Sequence, residues 1–354
     1  MKNFRPGILA FTAALTFILA SCHKDKNLPK PTTTTATDGF YILNQGLFND
    51  NNSTLSFYNY SNKQVTADIF TSANGRGLGD TGNDIEIYGS KMYIVVNISS
   101  TIEVVDAKTA KSLKQIKLFN GATAREPRDV AFYKGNAYVT SYDGTVAVID
   151  TASLAVSNYI TVGRNPEQLA VANGKLYVAN SGGLDYPNYD NTVSVIDLAS
   201  GTVTKTLTVA ANPQNVATDN NGNVYVLSAG NYSDVGPSLA VIDDNTDAVK
   251  SQTNFDGSNM TAQGTNLYFI TSAGKVVVYD TKTQSISNPG FISDGTAITT
   301  PYSIAVDGST GEVFVTDAKD YTSAGAVYAF DKTGKKEYSI TVGINPGKIA
   351  LLKQ

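Results

Sequence analysis

The chain has 354 residues, with 27 Lys and Arg set against 31 Asp and Glu for a formal charge of −4. Its basic residues are scattered and form no stripe, which argues against a nucleic-acid partner, and its single cysteine leaves no disulfide within the chain. Few charges, many Thr, Val, Tyr, Asn and Gly, and little helical periodicity predict strands joined by tight turns.

In chain order, Lys2 and Arg5 precede an apolar run from Ile8 to Ala20 broken only by Thr12 and Thr16. About 20 apolar residues are needed to span a bilayer, so this run is short. A basic start, an apolar centre and small residues at the end predict a secretory signal over residues 1–21. Its last four residues, Leu19-Ala20-Ser21-Cys22, resemble the lipobox of bacterial lipoproteins. That resemblance implies that Cys22 carries diacylglycerol and becomes the first residue of the mature chain. A buried thiol is the alternative fate of a lone cysteine, but position, spacing and uniqueness all favour the lipobox. Residues 22–37 are charged, then rich in Pro and Thr, and cannot bury a core; they are expected to form a flexible tether reaching at most about 50 Å.

Residues 38–354 are governed by a repeat. An alternating strand ending in Asp recurs at Asp106, Asp150, Asp197, Asp243, Asp280 and Asp331, with Asn59 closing a degenerate first copy. The spacing is about 45 residues, a supersecondary period. Upstream of each anchor lies a second strand, such as Leu176-Tyr-Val-Ala-Asn180. Before that comes a strand often led by proline, as at Pro127, Pro166, Pro213 and Pro301, and a more polar strand follows each anchor. Turn pairs such as Asn173-Gly174 join them. Four antiparallel strands in each of seven units predict an all-β, seven-bladed β-propeller. The first unit lacks its proline-led strand, and Pro346-Gly-Lys-Ile-Ala-Leu-Leu352 supplies it from the C-terminus. The last strand therefore closes the first blade and removes the edges an open solenoid would leave.

In such a ring the loops joining blades and those joining strands two and three emerge on one face. Residues 44–54, 180–192, 228–238 and 317–326 make that face long-looped, so it is the expected working face. Its expected ligand-binding residues are Phe48, Asn49, Arg76, Arg128, Tyr142, Arg164, Asn180, Tyr186, Tyr189, Tyr232 and Tyr321; Asn44, Arg125 and Asn231 share the same loops. Tyr and Asn give flat contact area and adaptable hydrogen bonds at low entropic cost. The competing reading is that Gly, Asn and Asp only form turns and Tyr only caps blade ends.

Catalytic candidates are few. The one histidine, His23, sits in the tether, so the fold has no imidazole as base or metal ligand. No catalytic residue, metal or cofactor is expected. Asp219-Asn-Asn-Gly-Asn223 loosely resembles a calcium loop but falls where a hairpin turn is required. Asp84, Glu126, Asp129 and Glu167 fall near the axis, either as paired carboxylates or as satisfied polar groups lining a channel.

Tyr177-Val-Ala-Asn180 leading to Asp197, and Tyr138-Val-Thr-Ser141 leading to Asp150, resemble the YVTN-type (YncE-like) bacterial propellers. The absence of Trp sets the chain apart from WD40 repeats and tryptophan-docked quinoprotein dehydrogenases. Lipobox, Thr-rich tether and a propeller opening on Leu43-Asn44 together resemble surface lipoproteins of Bacteroidetes, and His23-Lys-Asp-Lys26 partly resembles that phylum's surface-export signal. The group includes propellers that capture cobalamin and pass it to a TonB-dependent transporter. The resemblance implies a lipid-anchored, non-enzymatic protein of the outer membrane facing the cell exterior, with a polar ligand such as cobalamin. The alternative is a propeller scaffold for a protein or glycan; a lyase or lactonase reading would need a metal cluster.

Overall fold

Strands form where β-branched and aromatic residues alternate, and each anchor ends one by capping the hairpin that follows. Asp150 Oδ1 accepts from the backbone N–H groups of Ala152 and Ser153, Asp197 from Ala199 and Ser200, and Asp280 from Lys282 and Thr283. Asn59 does the same for Ser61 and Asn62 through its amide oxygen, which is why Asn can stand in for Asp. These are Asx turns. Their backbone donors hold the carboxyls of Asp150, Asp197 and Asp280 below the usual range.

The computed structural model describes Met1 and residues 36–354. The expected signal segment, Cys22 and all of the tether before Ala36 lie outside the described residues; the first strand begins at Thr37. Seven four-stranded antiparallel sheets follow, with one extra two-stranded hairpin of Phe119–Asn120 and Thr123–Ala124. A short helix, Ile69–Asn74, links blade 1 to blade 2; the Asp68 side chain caps its start and left-handed Gly75 ends it. Among the described residues no helix is long and apolar enough to cross a membrane.

The inner strands are Pro346–Lys353 in blade 1, Gly82–Tyr88, Pro127–Tyr133, Pro166–Ala172, Pro213–Thr218, Asn259–Gln263 and Pro301–Val306 in blade 7. Each is the edge strand of its sheet and packs on the inner strands of its neighbours, closing a ring. An edge position tolerates proline because the missing N–H serves no ladder. Second strands are buried on both faces, as in Lys91–Val96, whereas outer strands such as Thr202–Thr208 are mostly exposed. The core is divided among the blade interfaces. Tyr93, Val95, Ile102 and Val104 of blade 2, for example, pack on Val130, Ala137, Val139 and Ile149 of blade 3.

Closure of the ring is as the sequence implies. Phe40, Tyr41 and Ile42 pair with Leu351, Ala350 and Ile349. A polar latch reinforces it: Lys353 Nζ is 2.5 Å from Asp307 Oδ1, and Thr37 Oγ1 donates to Asp307 Oδ2 at 2.6 Å. Both ends of the propeller are thus tied to blade 7.

Candidate binding site

Every inner strand is entered through the same four-residue pattern, a proline or glycine, two variable residues and an apolar residue directed into the blade interface, which in blade 6 begins at Gly257, two residues before the strand. The first variable positions are Asn83, Arg128, Glu167, Gln214, Ser258, Tyr302 and Gly347, and all of them line one cavity of about 520 Å³ at the mouth of the central channel. The second variable positions form the next ring down. Of these, Asp129, Gln168, Asn215, Asn259 and Lys348 also face that cavity. Seven-fold repetition therefore converts a local strand motif into two polar rings around one axis.

The upper ring holds one charged cluster. Arg128 Nε donates to Glu167 Oε2 at 2.9 Å and its Nη1 to Asn83 Oδ1 at 2.6 Å. Tyr142 donates to Glu167 Oε1 at 2.6 Å, and the guanidinium lies 4.6 Å from the Tyr142 ring centroid. Burial opposes the charge on Arg128, but the facing Glu167 more than offsets it and raises its pKa. Burial pushes the Tyr142 phenol up, with Arg128 acting against that shift and Glu167 adding to it. The cluster is a fixed set of donors and acceptors in which acid and base neutralise each other.

In the second ring, Lys348 Nζ sits 3.2 Å from Asp84 Oδ1 and 3.7 Å from Asp129 Oδ1. The other carboxylate oxygens bind the next blade: Asp84 Oδ2 accepts from Val130 N–H, and Asp129 Oδ2 from Leu169 N–H. Gln168 repeats the contact to Val216 N–H. Burial and then Asp84 push the Asp129 carboxyl well up. Below them, Ala131, Ala170 and Ala217 line a second cavity of about 340 Å³ with Glu86 on its wall. Glu86 faces the open channel, yet the barrel encloses it; that enclosure, with Asp84 adding and Lys348 opposing, pushes its carboxyl up to about 7.

Tyrosines form the rim. Tyr189 and Tyr232 meet edge to face at 5.8 Å, and Tyr302 and Tyr321 do so at 6.0 Å. Tyr232 and Tyr321 have φ of 58° and 64° while 66 % and 50 % exposed. A bulky residue in the left-handed region costs about 1–2 kcal/mol, and such outliers cluster at ligand clamps. Their loops are braced to hold that geometry. Asn231 Oδ1 accepts from Ser233 and Val235 N–H, and Asp320 Oδ1 from Thr322 and Ser323 N–H.

The model of a domain of unknown function, DUF5074, matches residues 38–345, the ring up to but not including its closing strand Pro346–Lys353. The chain belongs to the DUF5074 family. No curated protein matches the sequence. Among solved structures, this DUF5074 propeller is similar to a quinonprotein alcohol dehydrogenase-like protein from Bacteroides thetaiotaomicron, at 19 % identity and TM-score 0.66, covering 89 % of this chain and 78 % of that one. Hydrazine synthase of Kuenenia stuttgartiensis follows at 15 % and 0.61, covering 78 % and 89 %. The WD40 propeller domain of Doa1 gives 13 % and 0.57, covering 80 % and 86 %. At these identities the likeness is one of fold, and it spans enzymes and non-enzymes alike.

Of the residues singled out in the sequence, the DUF5074 propeller brings Arg128, Tyr142, Tyr189, Tyr232 and Tyr321 together at the mouth. Tyr186, 67 % exposed, extends the row outward at 6.1 Å from Tyr189. The rest lie elsewhere for identifiable reasons. Asn180 is fully buried, its amide donating to Thr192 and Ser194 hydroxyls and accepting from Gly163 N–H. Arg164 is spent on Asp185 and Asp190 of its own blade's loop. Asn49 is a left-handed turn residue whose N–H binds Asp80, and neighbouring Phe48 points to solvent. Arg76 belongs to a separate groove on blade 2. Both Asp219 oxygens are taken by the turn itself, Oδ1 by Asn221 and Asn223 N–H and Oδ2 by the Asn223 amide and Tyr225 hydroxyl. Sequence reading missed Gln45, Asn83, Gln214, Asn215, Tyr302 and Lys348, although the two positions after each inner-strand proline would have found most of them.

Proposed function

We propose that this chain is a lipid-anchored capture protein that binds a polar, flat-faced ligand in the axial mouth and does not transform it. The observation that carries the reading is the pair of exposed tyrosines held in left-handed backbone over a hydrogen-bonding cavity. A volume of about 520 Å³ is that of a small-molecule site, and its amide and phenol groups donate as readily as they accept. Cobalamin is the candidate ligand: its flat macrocycle suits the tyrosine rim and its amide side chains suit the two polar rings. The cavity would take one edge of so large a molecule and leave the remainder against Tyr186, Tyr189 and Tyr232. Capture rather than catalysis is supported by the placement of the only His and Cys at positions 23 and 22, ahead of the ring, and by the mutual neutralisation of Arg128 and Glu167. Lipid on Cys22 would hold the loaded propeller near an outer-membrane TonB-dependent transporter. Spectroscopic titration of the purified protein with cyanocobalamin tests this: saturable binding at micromolar concentration or below supports it. No binding there, with glycan-array binding instead, replaces it with the scaffold reading.

A further inference from the structure

A second concavity, of about 580 Å³, lies on blade 2 away from the axial mouth. One wall is the loop Arg76-Gly-Leu-Gly79 that follows the short helix. The floor is blade 2 itself, where Thr101 pairs with Lys117 across adjacent strands. Phe119, 41 % exposed at the base of the small hairpin, forms the far rim. Among the described residues the charged side chains that line the groove are Arg76 and Lys117, and the carboxylate that pairs with Arg76, Glu103, is buried and does not line it. This is opposite in kind to the axial mouth, where Asp129 and Glu167 stand beside Lys348 and Arg128.

Arg76 is built to present its guanidinium. Nη2 donates to buried Glu103 at 2.8 Å and to Ser112 Oγ at 3.3 Å, and the group lies 5.0 Å from the Phe70 ring centroid. Glu103 is itself fixed by Ser112 and by Gln115 Nε2 at 3.1 Å. Nε and Nη1 of Arg76 have no hydrogen-bond partner among the described residues, and the side chain is 41 % exposed. Lys117 pairs with no carboxylate among them either. Gly79 lets the loop close over the floor: at φ +133°, a Cβ there would lie 2.7 Å from Ser99 Oγ.

We propose that this groove is a second ligand site, selective for a carboxylate borne on a six-membered ring. The carboxylate is taken by Arg76 and Lys117, and the ring lies against Phe119 and the glycine-lined wall. An aromatic acid and an acidic sugar share this chemistry. The site needs nothing from the axial mouth, so it stands or falls independently of the capture reading.

The test is titration of the purified protein, by calorimetry or by NMR shifts, with benzoate and with glucuronate, each beside its neutral counterpart, benzamide or glucose. The carboxylate is expected to bind about tenfold more tightly than the neutral form, and Lys117→Met to weaken it about tenfold, as loss of one charge-assisted contact implies. Lys117 is exposed at a strand end, so that variant keeps the fold. Phe119→Ser is expected to weaken binding as well, whereas Tyr232→Gly at the axial rim leaves it unchanged. Binding of benzoate alone assigns an aromatic acid, and of glucuronate alone an acidic saccharide. Binding of neither, equal binding of acid and neutral form, or indifference to Lys117→Met overturns the proposal.

Discussion

Replacing Asp307 by Asn should loosen the ring at its seam. Asp307 is fully buried and its carboxylate accepts from Lys353 Nζ, Thr37 Oγ1 and Ser309. Burial alone would raise its pKa, but the donors from Lys353, Ser309 and Thr37 outweigh it and bring it from 3.8 down to about 2. At about 1.4 kcal/mol per pKa unit, a shift of that size represents about 2 kcal/mol of stability. For a depressed acid this stability is present above the unfolded value near 3.8 and is lost as pH falls through about 2. Asn keeps the shape and cannot pair with the ammonium of Lys353, so the variant should lose about 2 kcal/mol at pH 7, or about 3 °C in Tm for a domain of this length. Urea titration of both proteins at pH 7 and again near pH 2.5 reads the effect. The gap should narrow in acid, and the double variant with Lys353→Met should cost less than the two single variants summed. Equal midpoints at pH 7, or a gap that does not change with pH, would refute the latch.

Lys348→Met strands Asp84 and Asp129 in the channel wall and should destabilise by about 3 kcal/mol, as breaking a buried pair does; Asp84→Asn introduced with it should recover part of that loss in denaturation midpoint. Glu86, raised to about 7, adds stability below its unfolded value near 4.5 that is lost as pH rises through about 7. Glu86→Gln should therefore gain on the native protein in melts above pH 7 and match it near pH 4.5. Gly230 has φ +75°, and a Cβ there would lie 2.0 Å from the Val235 carbonyl oxygen; Gly230→Ala should displace the Tyr232 loop and weaken axial binding while far-ultraviolet circular dichroism keeps its sheet signal.

The ring was legible because its signals are local and repeated. Asp anchors mark hairpin turns, and prolines mark edge strands that spare a hydrogen bond. The surplus strand at Pro346 found its place because blade 1 opens one strand short. The site was only partly legible. Tyr189, Tyr232 and Tyr321 could be placed on the face of the axial mouth from the loops that carry them, but long loops consume some of their own polar residues, as Arg164 shows with Asp185 and Asp190. Asn180 reads like a surface amide in the sequence, yet it ends a strand buried on both faces and spends its hydrogen bonds on Thr192, Ser194 and Gly163. Lys348 was invisible as a site residue because its partners, Asp84 and Asp129, come from the other end of the chain and meet it only once the ring closes.

The central claim is that the left-handed tyrosines serve a ligand and not the fold, and glycine separates the two. Glycine takes the φ of 58° and 64° at positions 232 and 321 without strain, so Tyr232→Gly with Tyr321→Gly should leave the propeller as stable as before, or more so by about 1 kcal/mol. Titration of the native and doubly substituted proteins with cyanocobalamin is the direct measurement. Saturable binding that weakens about tenfold or more in the variant, as loss of stacking area implies, is the predicted result. Native protein that binds nothing, or a variant that binds as well as the native protein, would contradict it.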